Sequence, residues 1–220
     1  MREYIKIFIS SILAGFCIVI GATVFLFCMN QGLGLKIVGA LLFCIGLFTI
    51  IHFKFWLYTG KVGVTLDNKP KFLIDLVVCL LGNLLGVVLL ASVIKLTRAG
   101  EFLQSVSTPI VTIKENDNLL SIFILSILCG VMIYLAVKGH EKANYSFGKV
   151  LFAFLPIVAF ILCGYEHVVA NAVYYTYAGI FSAKTILLFL IMAIGNGGGA
   201  ILLDLLIKVV NKLDQKEENN

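Results

Sequence analysis

Apolar residues in this chain come in long runs that short polar segments separate. Four runs are close to the length of about 20 residues that a helix needs to cross the hydrocarbon core of a membrane. They predict plain membrane spans at about residues 7–27, 73–94, 119–137 and 185–210. The first run is longer than the apolar part of a cleaved signal peptide, so we expect it to remain as a span. The pattern therefore predicts an all-α polytopic membrane protein.

Two further apolar runs, residues 35–66 and 147–179, are too long for one straight span and contain polar residues near their middle. We interpret each run as a helix that is broken at membrane depth. The predicted breaks lie at about residues 54–60 and 163–167. Irregular backbone is tolerated at that depth only where it is buried in protein or lines a cavity, so the two breaks are candidate parts of a site.

The second break carries a carboxylate beside an imidazole, on Glu166 and His167. An ionisable side chain at membrane depth indicates a functional site by default. Two other interpretations stay open for this segment taken alone. The first is a tilted, unbroken helix with a hydrogen-bonded core histidine, and the second is a helix that extends beyond the outer side of the membrane.

The polar segments between the spans predict the connections. The longest one covers residues 95–117, and Asp117 or Asn118 has the side chain to cap the span that follows. Residues 138–142 predict a basic turn. The charged tail at residues 213–220 is expected to be disordered and cytoplasmic.

The composition agrees with a membrane protein, since 60% of the residues are hydrophobic and only 13% are charged. A soluble domain is about a quarter charged. The net charge is +5, but the basic residues flank the spans, so the lipid bilayer explains them and no nucleic acid partner is expected. The cysteines fall inside apolar runs without C-x-x-C spacing, which predicts buried reduced thiols and no metal site. They are Cys17, Cys28, Cys44, Cys79, Cys129 and Cys163.

The distribution of lysine and arginine predicts the orientation in the membrane, because cytoplasmic segments are enriched in these residues. If the N-terminus is inside, eleven basic residues lie on the inner side and five on the outer side. The inner ones are Arg2, Lys6, Lys61, Lys69, Lys71, Lys138, Lys142, Lys149, Lys208, Lys212 and Lys216. The outer ones are Lys36, Lys95, Arg98, Lys114 and Lys184. Both termini are therefore expected to be cytoplasmic.

The two halves of the chain share one order of elements: a plain span, a broken span, and a span that carries Gly-Asn-x-x-Gly. The motif begins at Gly82-Asn83 in the first half and at Gly195-Asn196 in the second. Three spans per half make the second repeat inverted, so residues 1–98 and 115–212 would form inverted repeats within one domain covering 1–220. Such repeats with paired breaks place a site at the midplane. Helix packing alone would explain each glycine motif, but not the coincidence with two breaks.

These motifs resemble those of the formate/nitrite transporter family. The second break reads Gly164-Tyr165-Glu166-His167, followed by Ala170-Asn171, and resembles the family's G-[FY]-E-H-x-x-A-N signature. Leu57-Tyr58-Thr59 is similar to the family's L-[FY]-T in its broken second helix, and both Gly-Asn pairs match as well. The resemblance covers nearly the whole chain in the right order.

The resemblance implies a six-helix, aquaporin-like protomer with broken helices 2 and 5, assembled as a homopentamer in the plasma membrane of a prokaryote. It implies a channel or transporter for small monovalent anions, namely formate, nitrite or hydrosulfide. The alternatives are a proton-coupled symporter of acetate or lactate and, less in keeping with the motifs, an intramembrane enzyme that uses Glu166 and His167. The chain has neither H-E-x-x-H nor G-x-S-x-G, so we expect no enzyme, and no cofactor is expected.

The resemblance also assigns roles to single residues. His167 would be the central pore histidine that exchanges a proton with the permeating anion, and Thr59 would hydrogen-bond it from the other break. Glu166 would hold the broken segment in place, and Asn171 would tie it to its surroundings. Lys114 would face the pore, although a lysine of this kind also snorkels to lipid headgroups when it is only interfacial.

Four apolar residues resemble the family's constrictions. Phe160, Leu57 and Phe43 would form the outer ring, and Leu47 would form the inner one. Ordinary packing in the core or against lipid is the alternative for the phenylalanines, because the chain has 17 of them.

Some residues depart from the family pattern. Gly130 stands where many members have an asparagine, which suggests that a polar lining group is missing. Lys54 and Trp56 precede Leu57-Tyr58-Thr59 where small or acidic residues are usual, and Lys61 follows where many members have a small residue. The first break is therefore more basic and bulkier than the pattern, which leaves substrate preference and gating open.

Overall fold

The structure, a computed structural model, describes residues 2–218, and this part of the chain contains helices and no strand. The α-helices are α1 Arg2–Met29, α2 Leu33–Phe53, α3 Tyr58–Lys61, α4 Phe72–Lys95, α5 Gly100–Asn116, α6 Leu119–Lys142, α7 Ser146–Leu162, α8 Val168–Ala178 and α9 Ala183–Glu218. A 3₁₀-helix, Val62–Asp67, follows α3 directly.

Five of these helices are long and apolar enough to cross a membrane, namely α1, α2, α4, α6 and α9. The four plain spans predicted from the apolar runs are α1, α4, α6 and α9, so these predictions are confirmed. The helix α7 is apolar but has only 17 residues, and α8 continues it after a break. The protein is therefore an all-helical, membrane-spanning protein.

Both predicted breaks are present, but the first ends at Leu57 instead of residue 60, because α3 begins at Tyr58. Both have the same backbone geometry. After α2, Lys54 adopts the left-handed conformation with φ 57°, and the Phe55 N–H donates to the Ile50 carbonyl. After α7, Gly164 adopts the same conformation with φ 69°, and the Tyr165 N–H donates to the Phe160 carbonyl. Each helix thus ends in a Schellman motif, in which a left-handed residue lets the last carbonyls find donors.

The connection at residues 95–117 contains a helix that was not predicted, α5, because its polar outer face hid the periodicity of its buried side. Two other predictions about the polar segments are wrong. The predicted turn at 138–142 is the last part of α6, which ends only at Lys142. The charged tail is helical through Glu218, because its leucine, lysine, glutamate and glutamine residues all favour helices. Residues 219–220 of the predicted tail lie outside the described residues.

The prediction for the cysteines is wrong at one position and incomplete at another. All six are free thiols, but Cys163 is exposed at the turn after α7, and Cys28 is only partly buried. Cys163 is the C-cap residue, directly after the end of α7 at Leu162.

The two halves pack their helices in matching ways. The helix α1 crosses α4 where a side chain on Gly86 would collide with the Ile12 carbonyl, and α6 crosses α9 where one on Gly199 would collide with the Ile127 carbonyl. Gly130 belongs to this second crossing, since a Cβ there would collide with the Asn196 carbonyl. Gly130 is thus a packing glycine at a helix crossing.

Ion pairs show which segments share an end of the helical bundle. Lys71 lies 2.9 Å from Glu3, and Lys208 pairs with Asp67. The start of α1, the segment before α4 and the second half of α9 therefore lie at one end. At the other end, Glu115 accepts hydrogen bonds from side chains at the end of α8 and the start of α9.

Candidate functional site

The two helix breaks meet in the interior of the bundle. Thr59 lies in α3, just after the first break, and His167 lies at the last position of the second break. The Thr59 Oγ1 is 2.9 Å from the His167 Nε2. Both residues are buried, with exposed fractions of 1% and 2%. The structure thus brings together the two polar residues that the sequence placed in separate breaks.

The hydrogen bonds of His167 determine where its ring carries a proton. The Ala170 backbone N–H donates to Nδ1 over 3.0 Å, which makes His167 the N-cap of α8. A backbone N–H can only donate, so Nδ1 carries no proton in this arrangement. The ring proton is therefore on Nε2, which donates to the Thr59 hydroxyl oxygen. Phe160 stacks on one face of the ring, with centroids 5.7 Å apart.

Glu166 is the centre of a second polar cluster beside His167. The Lys114 ammonium donates to both carboxylate oxygens of Glu166 over 2.6 Å. The Asn171 side-chain amide donates to one of them, also over 2.6 Å. The side chains of Lys114 and Glu166 are 11% and 4% exposed, so this is a buried and fully hydrogen-bonded ion pair. The cluster links the end of α5 to the second break.

Each break is held by one asparagine from its own half of the chain. The Asn83 carbonyl oxygen accepts from the Tyr58 N–H, and its amide donates to the carbonyls of Trp56 and Ser11. The Asn196 side chain repeats this pattern, with one bond accepted and two donated. Its partners are the Val168 N–H and the carbonyls of Glu166 and Ser126. The Gly-Asn motifs therefore satisfy the backbone groups that the breaks leave without helical partners. Gly82 and Gly195 allow this approach, since a side chain at either would collide with the neighbouring helix.

We expect Asn196→Ala to destabilise the protein strongly. It removes three buried hydrogen bonds, and each unpaired group costs about 1–3 kcal/mol. Thermal unfolding in detergent, followed by size-exclusion chromatography, measures the loss. Asn116→Ala is the matched control, because Asn116 is exposed and donates only to the Thr112 carbonyl. Equal melting temperatures for the two variants would contradict the role given to Asn196.

Two cavities approach the Thr59–His167 contact. The first, called the Lys114 cavity, has a volume of about 330 Å³. Its walls include Lys36, Lys114, Asp117, Phe160, Glu166, His167 and Asn171. The second, called the Lys61 cavity, has a volume of about 340 Å³. Its walls include Leu47, Lys54, Leu57, Gly60, Lys61, His140 and Glu141.

The two cavities lie in opposite halves of the bundle. Leu125, near the start of α6, lines the Lys114 cavity, whereas His140, near its end, lines the Lys61 cavity. His167 is a wall of the first cavity, and Leu57 and Gly60, which flank the Thr59 segment, are walls of the second. The Thr59–His167 contact is therefore positioned between two water-accessible spaces.

The four residues predicted to form constrictions lie at or beside the two cavities. Phe160 lines the Lys114 cavity, and Phe43 packs against it edge to face with ring centroids 6.0 Å apart. Leu57 lines the Lys61 cavity together with Leu47. All four residues belong to one buried apolar cluster, and the two constrictions stay a prediction.

Several residues of the two cavities were not among the predicted site residues. Lys36 and Tyr165 line the Lys114 cavity, and Lys61 and His140 line the Lys61 cavity. Lys61 was within reach of sequence reasoning, because it follows Thr59 by two residues and departs from the family pattern. His140 could not be predicted, because the sequence indicated a turn at residues 138–142 and the position of His140 in the last part of α6 was not expected. Within residues 2–218, no three side chains of the metal-binding types cluster closely enough to hold an ion.

Comparison with known proteins gives a family match over most of the chain. The family model described as "Formate/nitrite transporter" matches residues 1–210. An uncharacterized transporter of Bacillus subtilis, YrhG, is 28% identical over 147 residues, which cover 62% of this chain and 55% of the relative. The formate channel FocA of Haemophilus influenzae is 26% identical over 182 residues, which cover 74% of this chain and 63% of the relative. The chain thus spans less than two thirds of these curated relatives.

Solved structures share the fold. A structure described as a pentameric formate channel with formate bound superposes with a TM-score of 0.81 at 21% identity, over 96% of this chain and 98% of that chain. An ion channel described as a member of the FNT family gives a TM-score of 0.77 at 22% identity, over 90% of this chain and 87% of that chain.

Proposed function

Because the chain belongs to the formate/nitrite transporter family, we propose that it carries small monovalent anions such as formate, nitrite or hydrosulfide across the membrane. The observation that supports this most directly is the buried Thr59–His167 contact between two cavities. A route that joins the two cavities at this contact meets one hydrogen-bond donor, the Nε2–H of His167. Its Haemophilus relative is named as a formate channel, which favours formate as the first anion to test.

The protein has to offset the cost of bringing an anion into an apolar passage. For an isolated carboxylate in a medium of low dielectric constant, this transfer costs on the order of tens of kcal/mol. Lys114 at the wall of its cavity contributes positive charge, which its ion pair with Glu166 offsets in part. The N-terminal end of α8 begins beside His167 and adds the partial positive charge of a helix N-terminus. The apolar walls formed by Phe160 and Leu57 then exclude water and larger solutes.

His167 supplies the proton in this mechanism. In the arrangement described above, its Nε2–H donates to Thr59, and an anion that displaces the Thr59 hydroxyl receives the same hydrogen bond. Complete transfer requires that the ring first takes up a second proton at Nδ1 from water in the Lys114 cavity, so Nδ1 gives up its bond to the Ala170 N–H. The charged ring then passes its Nε2 proton to the anion, and the neutral acid crosses the apolar walls. Return of the proton to His167 gives channel behaviour, and its release with the solute gives symport.

The same proposal includes the assembly and the orientation. We propose a homopentamer of protomers with two inverted repeats, in a prokaryotic plasma membrane with both termini cytoplasmic. The fold shared with a channel described as pentameric supports the assembly. The ion pairs of Glu3 and Lys208 support the placement of both chain ends on one side. Multi-angle light scattering of the detergent-purified protein tests the assembly, and a monomeric mass would contradict it.

Flux measurements on purified protein in liposomes test the function. Formate, nitrite and hydrosulfide are applied one at a time at several pH values, and the solutes are analysed chemically afterwards. We expect flux of at least one of these anions without conversion to a product. No flux of any of them, or formation of a product, would overturn the proposal.

We expect Phe160→Ala and Leu57→Ala to admit larger monocarboxylates. Each removes a large side chain from a cavity wall and widens the passage beside the Thr59–His167 contact. The ratio of lactate flux to formate flux in liposomes should rise several-fold. Phe147→Ala and Leu73→Ala are matched controls, because these side chains are 68% and 54% exposed on the outer surface of the protomer. An unchanged ratio in both wall variants would show that they do not limit the passage.

A further inference from the structure

We propose that Lys54 and Lys61 make the Lys61 cavity a binding site for small monovalent anions, on the side of the Thr59–His167 contact opposite Lys114. This inference deepens the proposed function and rests on it for its role in transport. The site itself is argued from charge, geometry and the backbone of the first break.

The two cavities differ in their balance of charge. The walls of the Lys114 cavity contain two lysines and two carboxylates, and Lys114 already binds both oxygens of Glu166. The walls of the Lys61 cavity contain two lysines and one carboxylate, that of Glu141. Glu141 is paired with Lys138 over 2.7 Å, so it does not neutralise the cavity. The Lys61 cavity therefore holds uncompensated positive charge.

Lys61 is the residue closest in sequence to the proposed passage. It follows Thr59 by two residues, is half-buried, and lies at the cavity wall beside Gly60. Its ammonium lies 5.5 Å from the centre of the Trp56 ring. Within residues 2–218, no carboxylate or carbonyl lies within hydrogen-bonding distance of this ammonium. A half-buried ammonium with an aromatic ring on one side has its donors available for an anion on the other.

The backbone at Lys54 supplies an independent observation. Among the described residues, Lys54 is the only one other than glycine with a positive φ. The matching position of the second break is Gly164, where glycine takes the same conformation without strain. The left-handed conformation is unfavourable for residues other than glycine, because their Cβ approaches the following carbonyl oxygen. A lysine at a position that favours glycine indicates that its side chain is used, and this side chain lines the cavity.

The chain contains its own reporter for this site, because Trp56 is its single tryptophan. The fluorescence of the detergent-purified protein is quenched with iodide, caesium and acrylamide at constant ionic strength. We expect the quenching constant for iodide to exceed that for caesium several-fold, and added formate should lower iodide quenching. Equal constants for iodide and caesium in the wild type would overturn the proposal without any variant.

Variants then assign the effect to the two lysines. Lys61→Met should bring iodide quenching down to the level of caesium, whereas Lys61→Arg should keep most of the difference. Lys54→Met should lower the quenching constant for iodide in part. Because the side chain of Lys54 is exposed, we expect this variant to fold. Lys69→Met is the control for net charge, because Lys69 is exposed nearby and outside the cavity walls. An equal loss in Lys69→Met and Lys61→Met would show a general surface effect and contradict the site.

Transport measurements separate this inference from the proposed function. Anion flux in wild-type liposomes together with equal iodide and caesium quenching would refute the binding site and leave the transport function in place. Iodide preference that depends on Lys61, without flux of any anion tested, would refute the function and leave the site. If both the binding site and the transport function are confirmed, Lys61→Met should slow formate flux most when formate enters from the side of the membrane that the Lys61 cavity faces.

Discussion

Replacing His167 by asparagine is expected to give a folded protein that has lost the pH dependence of anion uptake. Asparagine is a good N-cap, so its side-chain oxygen can replace Nδ1 as the acceptor for the Ala170 N–H at the start of α8. It cannot titrate near neutral pH, so it cannot lend a proton. In the wild type, uptake of weak-acid anions should rise as the pH falls, because more protons are available for the anion.

The loss should be large. A positioned side chain that transfers a proton contributes about 10²–10⁴-fold to a rate, so we expect uptake at acidic pH to fall by about 10²-fold. Radiolabelled formate uptake into liposomes over a series of acidic to neutral pH values measures both the rate and its pH profile. A wild-type rate and profile in His167→Asn would refute the mechanism, although the family assignment would stand.

Thr59→Val is the matched comparison for this experiment. It keeps the shape of the side chain but removes the oxygen that accepts from Nε2. The ring itself is unchanged in Thr59→Val and can still lend a proton, so the pH profile should keep its shape while the rate falls moderately. A profile in Thr59→Val as flat as that of His167→Asn would show that the hydroxyl, and not the ring proton, carries the pH dependence.

The sequence was sufficient to predict the breaks because an apolar run that exceeds a membrane thickness has few structural solutions. Residues 35–66 and 147–179 both exceed it, and polar residues mark where each helix ends. The common Schellman geometry was not predictable, because glycine marks the second break but lysine occupies the matching position in the first. Sequence reasoning had no means to expect a left-handed Lys54.

The role of the Gly-Asn motifs shows a similar limit. Their repetition in two spans was visible, but a side chain that bonds backbone groups 25 and 28 residues away depends on the packed structure. Once the helices cross at their glycines, Asn83 and Asn196 fall beside the breaks. The asparagines therefore complete the backbone hydrogen bonding of both breaks, which explains the coincidence of two motifs with two breaks that packing alone left unexplained.

The helix α5 was not predicted from the sequence. Its polar outer face made the segment look like a connection, although Leu103, Val106 and Val111 on its inner side are buried. This helix positions Lys114 near its C-terminal end. Without it, the sequence could place Lys114 near the pore only by resemblance, and the direct contact with Glu166 could not be foreseen.

That contact changes what a single substitution at Lys114 would measure. Lys114→Met leaves the Glu166 carboxylate buried with Asn171 as its remaining side-chain partner. Removing one partner of a buried ion pair costs about 3–5 kcal/mol, because the other charge is left uncompensated. We therefore expect Lys114→Met to lower both the melting temperature and the flux, and the two effects cannot be separated in this variant.

The double variant Lys114→Met/Glu166→Gln separates them. Glutamine keeps an oxygen that accepts from Asn171 and removes the buried negative charge, so we expect the melting temperature to return most of the way to that of the wild type. Flux should stay low, because the positive charge at the wall of the Lys114 cavity is still missing. Thermal unfolding and formate flux measured on the same preparations decide the outcome. If flux recovers together with stability, Lys114 serves only to balance Glu166, and the positive charge that acts on the anion must come from elsewhere along the passage.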